Sequence, residues 1–210
     1  MPPATSYSKK AIVEAAFTIL RKDGPDAISA RNIAKALGSS TQPVYSSYAS
    51  MEELKRDLQA KAMDFAISFL LRDEGDDEFF LGIGMQYLRF ARQETALFKM
   101  LFMEQSSHID LKNPFSPPAL IEHMRLDAHL KNFDEETLKR LLSDMCIYTH
   151  GLATLSLLTD SAADESSLRE QLHRMGGIMI MYELYSSGNA GAGFDNLRKQ
   201  FTRSPMEDKQ

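Results

Sequence analysis

Residues 40–48 read STQPVYSSY, a run rich in Thr, Gln, Pro, Tyr and Ser and free of acids. On a helix Val44 and Tyr48, four apart, share one face and turn to a core. Thr41, Gln42, Pro43, Tyr45 and Ser46 are left outward. Those outward types suit duplex DNA. Gln pairs bidentately with adenine, Thr and Pro offer apolar contact to a thymine methyl, and Tyr and Ser hydroxyls bond phosphate oxygens. Helix starts near Ser29 and at Ser39 and Ser40 add exposed N–H groups, while Lys9 and Arg31 add charge.

Other chemistries find less to work with. The five histidines, at 108, 123, 129, 150 and 173, never lie three or four residues apart, so no helical metal pair is spelled. Cys146 has His150 one helical turn on, the raw material of a redox sensor, but sits among apolar residues that disfavour a thiolate. No glycine-rich phosphate loop occurs, since Gly188, Gly191 and Gly193 belong to a tail. The expectation is a protein that is not an enzyme and holds no metal and no cofactor.

The elements that would position these residues are helical. Ile12, Ala15, Ala16, Ile19 and Leu20 mark a helix over 8–22, stopped by Gly24-Pro25. Ser29 caps a short helix over 30–37 closed by Gly38, and Pro43 falls in the first turn of the next, over 41–48. A long helix follows Ser50, whose spacing to Glu53 makes a capping box, and reaches Arg72 before the acidic break at 73–78. Further helices are predicted over 78–92 and 95–103, from a Ser116 cap to 131, from an Asp134 cap to 159, and over 165–187. No strand alternation appears, and the fold class is all-α.

The chain of 210 residues carries a net charge of −5, unevenly spread: residues 1–50 hold six Lys/Arg against three acids, so the rest carries −8. A basic head on an acidic body fits one end meeting phosphates. One cysteine excludes an internal disulfide. No stretch approaches eighteen apolar residues, and MPPATSYSKK lacks a signal peptide's apolar run. The sequence therefore predicts no membrane span, no membrane partner and a cytoplasmic location.

The ordered set Ile12, Ala15-Ala16, Leu20, Gly24, Ile28-Ser29-Ala30-Arg31-Asn32-Ile33-Ala34, Leu37-Gly38-Ser39-Ser40, Val44-Tyr45, Tyr48 and Glu52-Glu53-Leu54 resembles the DNA-binding head of tetracycline-repressor-like (TetR/AcrR) transcriptional regulators over residues 8–56. The resemblance implies a three-helix helix-turn-helix head over 6–66, with motif helices at about 29–48, and a C-terminal all-α effector-binding and dimerisation bundle over 67–188. Residues 189–210 are expected to form a mobile tail. It further implies that Ser29 caps and contacts phosphate, that Gly38 is the turn glycine, and that Thr41, Gln42 and Pro43 read bases. Tyr45 would touch phosphate and Tyr48 would seat the recognition helix. Met51 stands where the family often has a lysine, with Lys55 one turn on as a substitute phosphate contact.

In the body, residues 145–158 (MCIYTHGLATLSLL) are apolar or small nearly all round, so that helix needs cover on both sides. With the last helix, where Gly176-Gly177 permits close approach, it is the expected homodimer interface: Ile147, Leu152, Leu155, Leu158, Met175, Ile178, Met179, Tyr182 and Tyr185. Thr-His-Gly-Leu-Ala at 149–153 resembles the interface helix of some members of the same family. Candidates to line an effector pocket are Met63, Tyr87, Phe90, Phe98, Met103, His123, Cys146 and His150, a set suited to a small, neutral or hydrophobic molecule. The expected function is a dimeric repressor released from a palindromic operator by such an effector. Its alternatives are a helical ligand- or partner-binding module without DNA binding and a Cys146-based redox sensor.

Overall fold

The computed structural model describes residues 7–72, 78–103, 117–158 and 164–186. Among them are nine α-helices, one 3₁₀ turn and no strand: α1 Lys9–Asp23, the turn Pro25–Ala27, α2 Ala30–Ala36, α3 Gln42–Ser47, α4 Met51–Leu70, α5 Phe79–Gln93, α6 Thr95–Phe102, α7 Pro118–Met124, α8 Glu135–Leu158 and α9 Glu165–Ser186. The Ser116 cap, most of the acidic break and the 189–210 tail lie outside the described residues.

The local chemistry that ends the helices is explicit. Ala11 N–H donates to Ser8 Oγ, Asn32 N–H to Ser29 Oγ and Thr137 N–H to Asp134 Oδ1, so α1, α2 and α8 each begin on a side-chain cap. Glu53 N–H donates to Ser50 Oγ, while Glu53 Oε2 accepts from Ala49 N–H, one residue before the usual reciprocal partner of a capping box. Helix α2 closes with Gly38 at φ +62°. There Gly38 N–H reaches Lys35 O and Ser39 N–H reaches Ala34 O, a Schellman ending that requires a left-handed residue.

Helix α7 is the main departure from the periodicity, stopping at Met124 instead of 131. The apolar positions run on, and Leu130 is fully buried. Asp127, however, turns its carboxylate onto the N–H of His129 at 2.9 Å and of Phe80 at 3.4 Å. That side chain offers the local backbone a partner other than the helical ladder, and residues 125–133 become successive turns.

Contacts divide the chain into two compact units, Met1–Phe69 with Arg89–His108, and Leu70–Leu88 with Ile109–Gln210. In the first, α1 packs on α2 and α6, and α2 on α3. Ile12, Leu20, Ile33, Val44, Leu54 and Phe98 are buried to within 1%. A chain of edge-on and tilted rings runs from Phe17 to Phe65 (5.4 Å between centroids), on to Phe90 (6.5 Å) and Phe102 (6.4 Å). The Arg21 guanidinium lies 4.9 Å from the Phe65 ring and donates from Nε to Glu94 Oε2 at 2.8 Å, tying α1 to the residue that opens α6.

In the second unit α8 packs on α7 and α9, and Arg140 crosses from α8 to Glu183 of α9 at 3.0 Å. At Gly84 a Cβ would lie 3.1 Å from the side-chain atom Leu172 Cδ1. At Gly176, expected to permit close approach, a Cβ would meet only the Phe80 ring, at an ordinary 3.8 Å. Against the expectation from sequence, α8 is long and apolar enough by length and composition to cross a membrane, at a mean hydropathy of 1.2. A third of that window is buried within the protein.

Candidate functional site

Helices α2 and α3 meet across the turn at Gly38, and α3 presents two unlike faces. Val44 and Tyr48 are 1% and 2% exposed, whereas Tyr45 is 63% exposed and Gln42 and Ser46 are open to solvent. Thr41 and Pro43 are half-buried, and Ser46 Oγ donates back to Gln42 O at 2.9 Å. Pro43 sits at the start of the helix, where its missing N–H costs nothing. The outward face is thus a strip of amide, hydroxyl and aromatic edge with no charge of its own.

Charge comes from neighbouring elements. Arg31 and Lys35 of α2 and Lys10 of α1 are exposed, and none makes an ion pair among the described residues. Ser29 is occupied as the cap of α2, and Ser39 Oγ donates to Ser40 O. Lys55 lies on the exposed side of α4, beside Pro25, Asp26 and Ile28.

Lys9 has a different setting. Its ammonium is 2.7 Å from Glu53 Oε1 and 4.6 Å from the centre of the Tyr48 ring. The Tyr48 hydroxyl donates to Asp57 Oδ2 at 3.0 Å. Burial, followed by that hydrogen bond, pushes the Tyr48 phenol above its ordinary pKa. The Lys9 hydrogen bond, followed by the Ala49 N–H, holds Glu53 below the usual carboxylate range. These side chains pin the end of α3 between α1 and α4. Tyr7 adds a further tie, donating to Leu37 O at 2.6 Å. Sequence spacing gave no signal for Asp57 or Tyr7, because both act across elements.

Four of the eight pocket candidates, Met63, Phe90, Phe98 and Met103, fall in the first unit, and Tyr87, His123, Cys146 and His150 in the second. Phe90 and Phe98 are fully buried in the first unit, Met63 is half-buried on α4, and Met103 is exposed just past α6. In the second unit His123 meets Phe79 edge-on at 5.2 Å. Tyr87 and Cys146 line a small apolar cavity with Phe80, Leu120, Leu142 and Thr149. His150 Nδ1 is 3.0 Å from the Tyr87 hydroxyl. The cavity volume, about 20 Å³, suffices for one water-sized group. Burial pushes the Cys146 thiol up to about 11, raises Tyr87 and lowers His150, so the lining is uncharged near neutral pH.

The interface candidates, in contrast, largely share a property. Ile147, Leu155 and Leu158 on α8 and Ile178, Tyr182 and Tyr185 on α9 are exposed, Leu158 by 76% and Tyr185 by 70%. Leu152, Met175 and Met179 are half-buried. Two packed helices therefore present large apolar side chains to the outside. Among the described residues no group of three or more His, Cys, Asp or Glu is arranged to hold a metal ion. A comparison with models of known protein families finds no match, and a comparison with curated protein sequences finds no similar protein.

Proposed function

We propose that this chain is a dimeric DNA-binding transcriptional regulator of the tetracycline-repressor-like type, with α3 reading the major groove. The observation that carries this reading is the division of α3. Val44 within it and Tyr48 just past its end are buried and braced, while Gln42, Tyr45 and Ser46, whose chemistry suits bases and phosphates, are exposed. Unpaired cations on Arg31, Lys35 and Lys10 supply the sequence-independent part of the affinity. The exposed apolar face of α8 and α9 supports a homodimer, since two copies cover it mutually and a two-fold operator is met by a two-fold protein. Asp144, an exposed acid within α8, favours a protein cover for this face over lipid.

A dimer of this kind sets two α3 helices in successive major grooves, about 34–36 Å apart. An effector that binds the operator-incompetent arrangement more tightly releases the DNA. The uncharged lining around Tyr87 and Cys146 favours a neutral, apolar effector, and its small volume means that entry requires the cavity to widen. The raised thiol pKa speaks against a Cys146 redox sensor.

Titrating a labelled random-sequence duplex at low salt tests the reading. Binding is expected, with affinity falling linearly on a log–log plot as salt rises, because phosphate neutralisation releases counterions. A folded protein that ignores duplex DNA at low salt would overturn it.

A further inference from the structure

Outside α3 and the Tyr87 cavity, the first unit contains a groove walled by the 3₁₀ turn, α4 and α6. Its volume is about 380 Å³, within the range of small-molecule sites, against about 20 and 40 Å³ for two cavities of the second unit. Pro25, Ile28, Leu58 and Met100 give it an apolar wall. Glu52, Lys55, Arg56 and Gln59 form one stripe of α4 along it, and Asp26 approaches from the turn.

The charges are two of each sign, and Glu52 already feels the attraction of Lys55 and Arg56 on its own helix. Lys55, Arg56 and Asp26 are exposed and make no ion pair among the described residues. Glu52 is held ionised by the N–H and Ser50 hydroxyl of the first turn of α4. A lone anion would satisfy the cations and face two carboxylates; a lone cation would do the reverse. A neutral molecule with separated charges and a short apolar tail meets every group.

We propose that this groove binds a small zwitterion, an α-amino acid with an aliphatic side chain. Its carboxylate sits on Lys55 and Arg56, its ammonium on Asp26 and Glu52, and its tail on Ile28, Leu58 and Met100. The site lies wholly within the first unit and does not depend on DNA binding. Its wall includes the turn that leads into Ser29 and α2, so occupancy touches the element that starts the helix pair.

The test uses the full chain with ¹³C-labelled methionine methyls, the Met100 signal being assigned by its loss in Met100→Leu, and L-norleucine as probe. The Met100 methyl is expected to shift saturably. In Lys55→Ala/Arg56→Ala the affinity is expected to fall at least about tenfold, because charged hydrogen bonds are lost. Asp26→Asn/Glu52→Gln is expected to weaken norleucine similarly, and hexanoate and hexylamine to bind the unaltered chain worse than norleucine. All four changes are on exposed side chains, and an unchanged circular dichroism spectrum confirms folding. An unmoved Met100 signal, equal binding to the cation-less variant, or hexanoate binding as well as norleucine would each overturn the proposal.

Discussion

Gln42 and Tyr45 are three residues apart on the exposed strip of α3, and their chemistry separates two parts of recognition. Gln42 carries an amide that can read a base edge, whereas the Tyr45 hydroxyl suits a phosphate. Replacing Gln42 with Ala is expected to alter the preferred base at one position of each half-site, at about 1–3 kcal/mol of discrimination. Tyr45→Phe is expected to weaken binding to all sequences alike, by about 1 kcal/mol. Fluorescence anisotropy on a panel of single-base operator variants distinguishes the two outcomes. Cys146 permits a second check at this scale. Its folded pKa, raised to about 11 by burial, keeps the thiolate scarce at neutral pH. Alkylation by a small thiol reagent should be slow at pH 7 and rise roughly tenfold per pH unit up to pH 10. A rate already level by pH 8 would contradict the buried, neutral thiol.

Three glycines distinguish backbone demand from space at the scale of elements. Gly38 has open space around its Cβ position but φ +62°, so Gly38→Ala is expected to cost about 1 kcal/mol through strain alone. Gly84 has ordinary backbone, but its Cβ would press on the buried Leu172 at 3.1 Å. Gly84→Ala should lower the melting temperature by displacing a side chain that is 1% exposed. Gly151, on α8, faces open space, and Gly151→Ala should raise stability by roughly 0.5–1 kcal/mol. Thermal unfolding of the three variants orders them. These same elements show how far the sequence could be read. Caps at Ser29, Ser50 and Asp134 and the turn at Gly38 were legible because each is a local bargain between a side chain and backbone a few residues away. The burial of Val44 and Tyr48 was equally legible, although α3 ends at Ser47 and Tyr48, in extended backbone, reaches the core from just past the helix. The stop after Met124 was not, because Asp127 finds part of its bonding 47 residues away, at Phe80. Nor were Asp57 under the Tyr48 hydroxyl or Glu94 on Arg21, partners that only packing brings together.

At the scale of the whole molecule, among the described residues, α8 and α9 turn Ile147, Leu155, Leu158, Ile178, Tyr182 and Tyr185 outward. Apolar side chains in such number call for a cover, and in the proposed dimer a second copy supplies it symmetrically. Leu155→Glu with Tyr182→Glu is expected to convert the proposed dimer to a folded monomer, read by sedimentation equilibrium, and to weaken the proposed operator binding more than tenfold. An unaltered chain that sediments as a monomer at micromolar concentration would remove the dimer from the account. Pocket candidates are hard to tell from core in sequence. A stripe of Met and aromatic residues looks the same in sequence whether it lines a cavity or fills a core. Of the eight candidates, Phe90 and Phe98 fill the core of the first unit, while Tyr87 and Cys146 line a small cavity of the second.

The central claim is that α3 reads duplex DNA, and selection of binders from a random duplex library tests it most directly. The expected result is a palindrome whose half-sites lie one helical turn apart, bound by two copies and lost as salt rises. A folded, dimeric protein that enriches no sequence at low salt would contradict the claim, leaving a helical binding module whose recognition chemistry lies elsewhere.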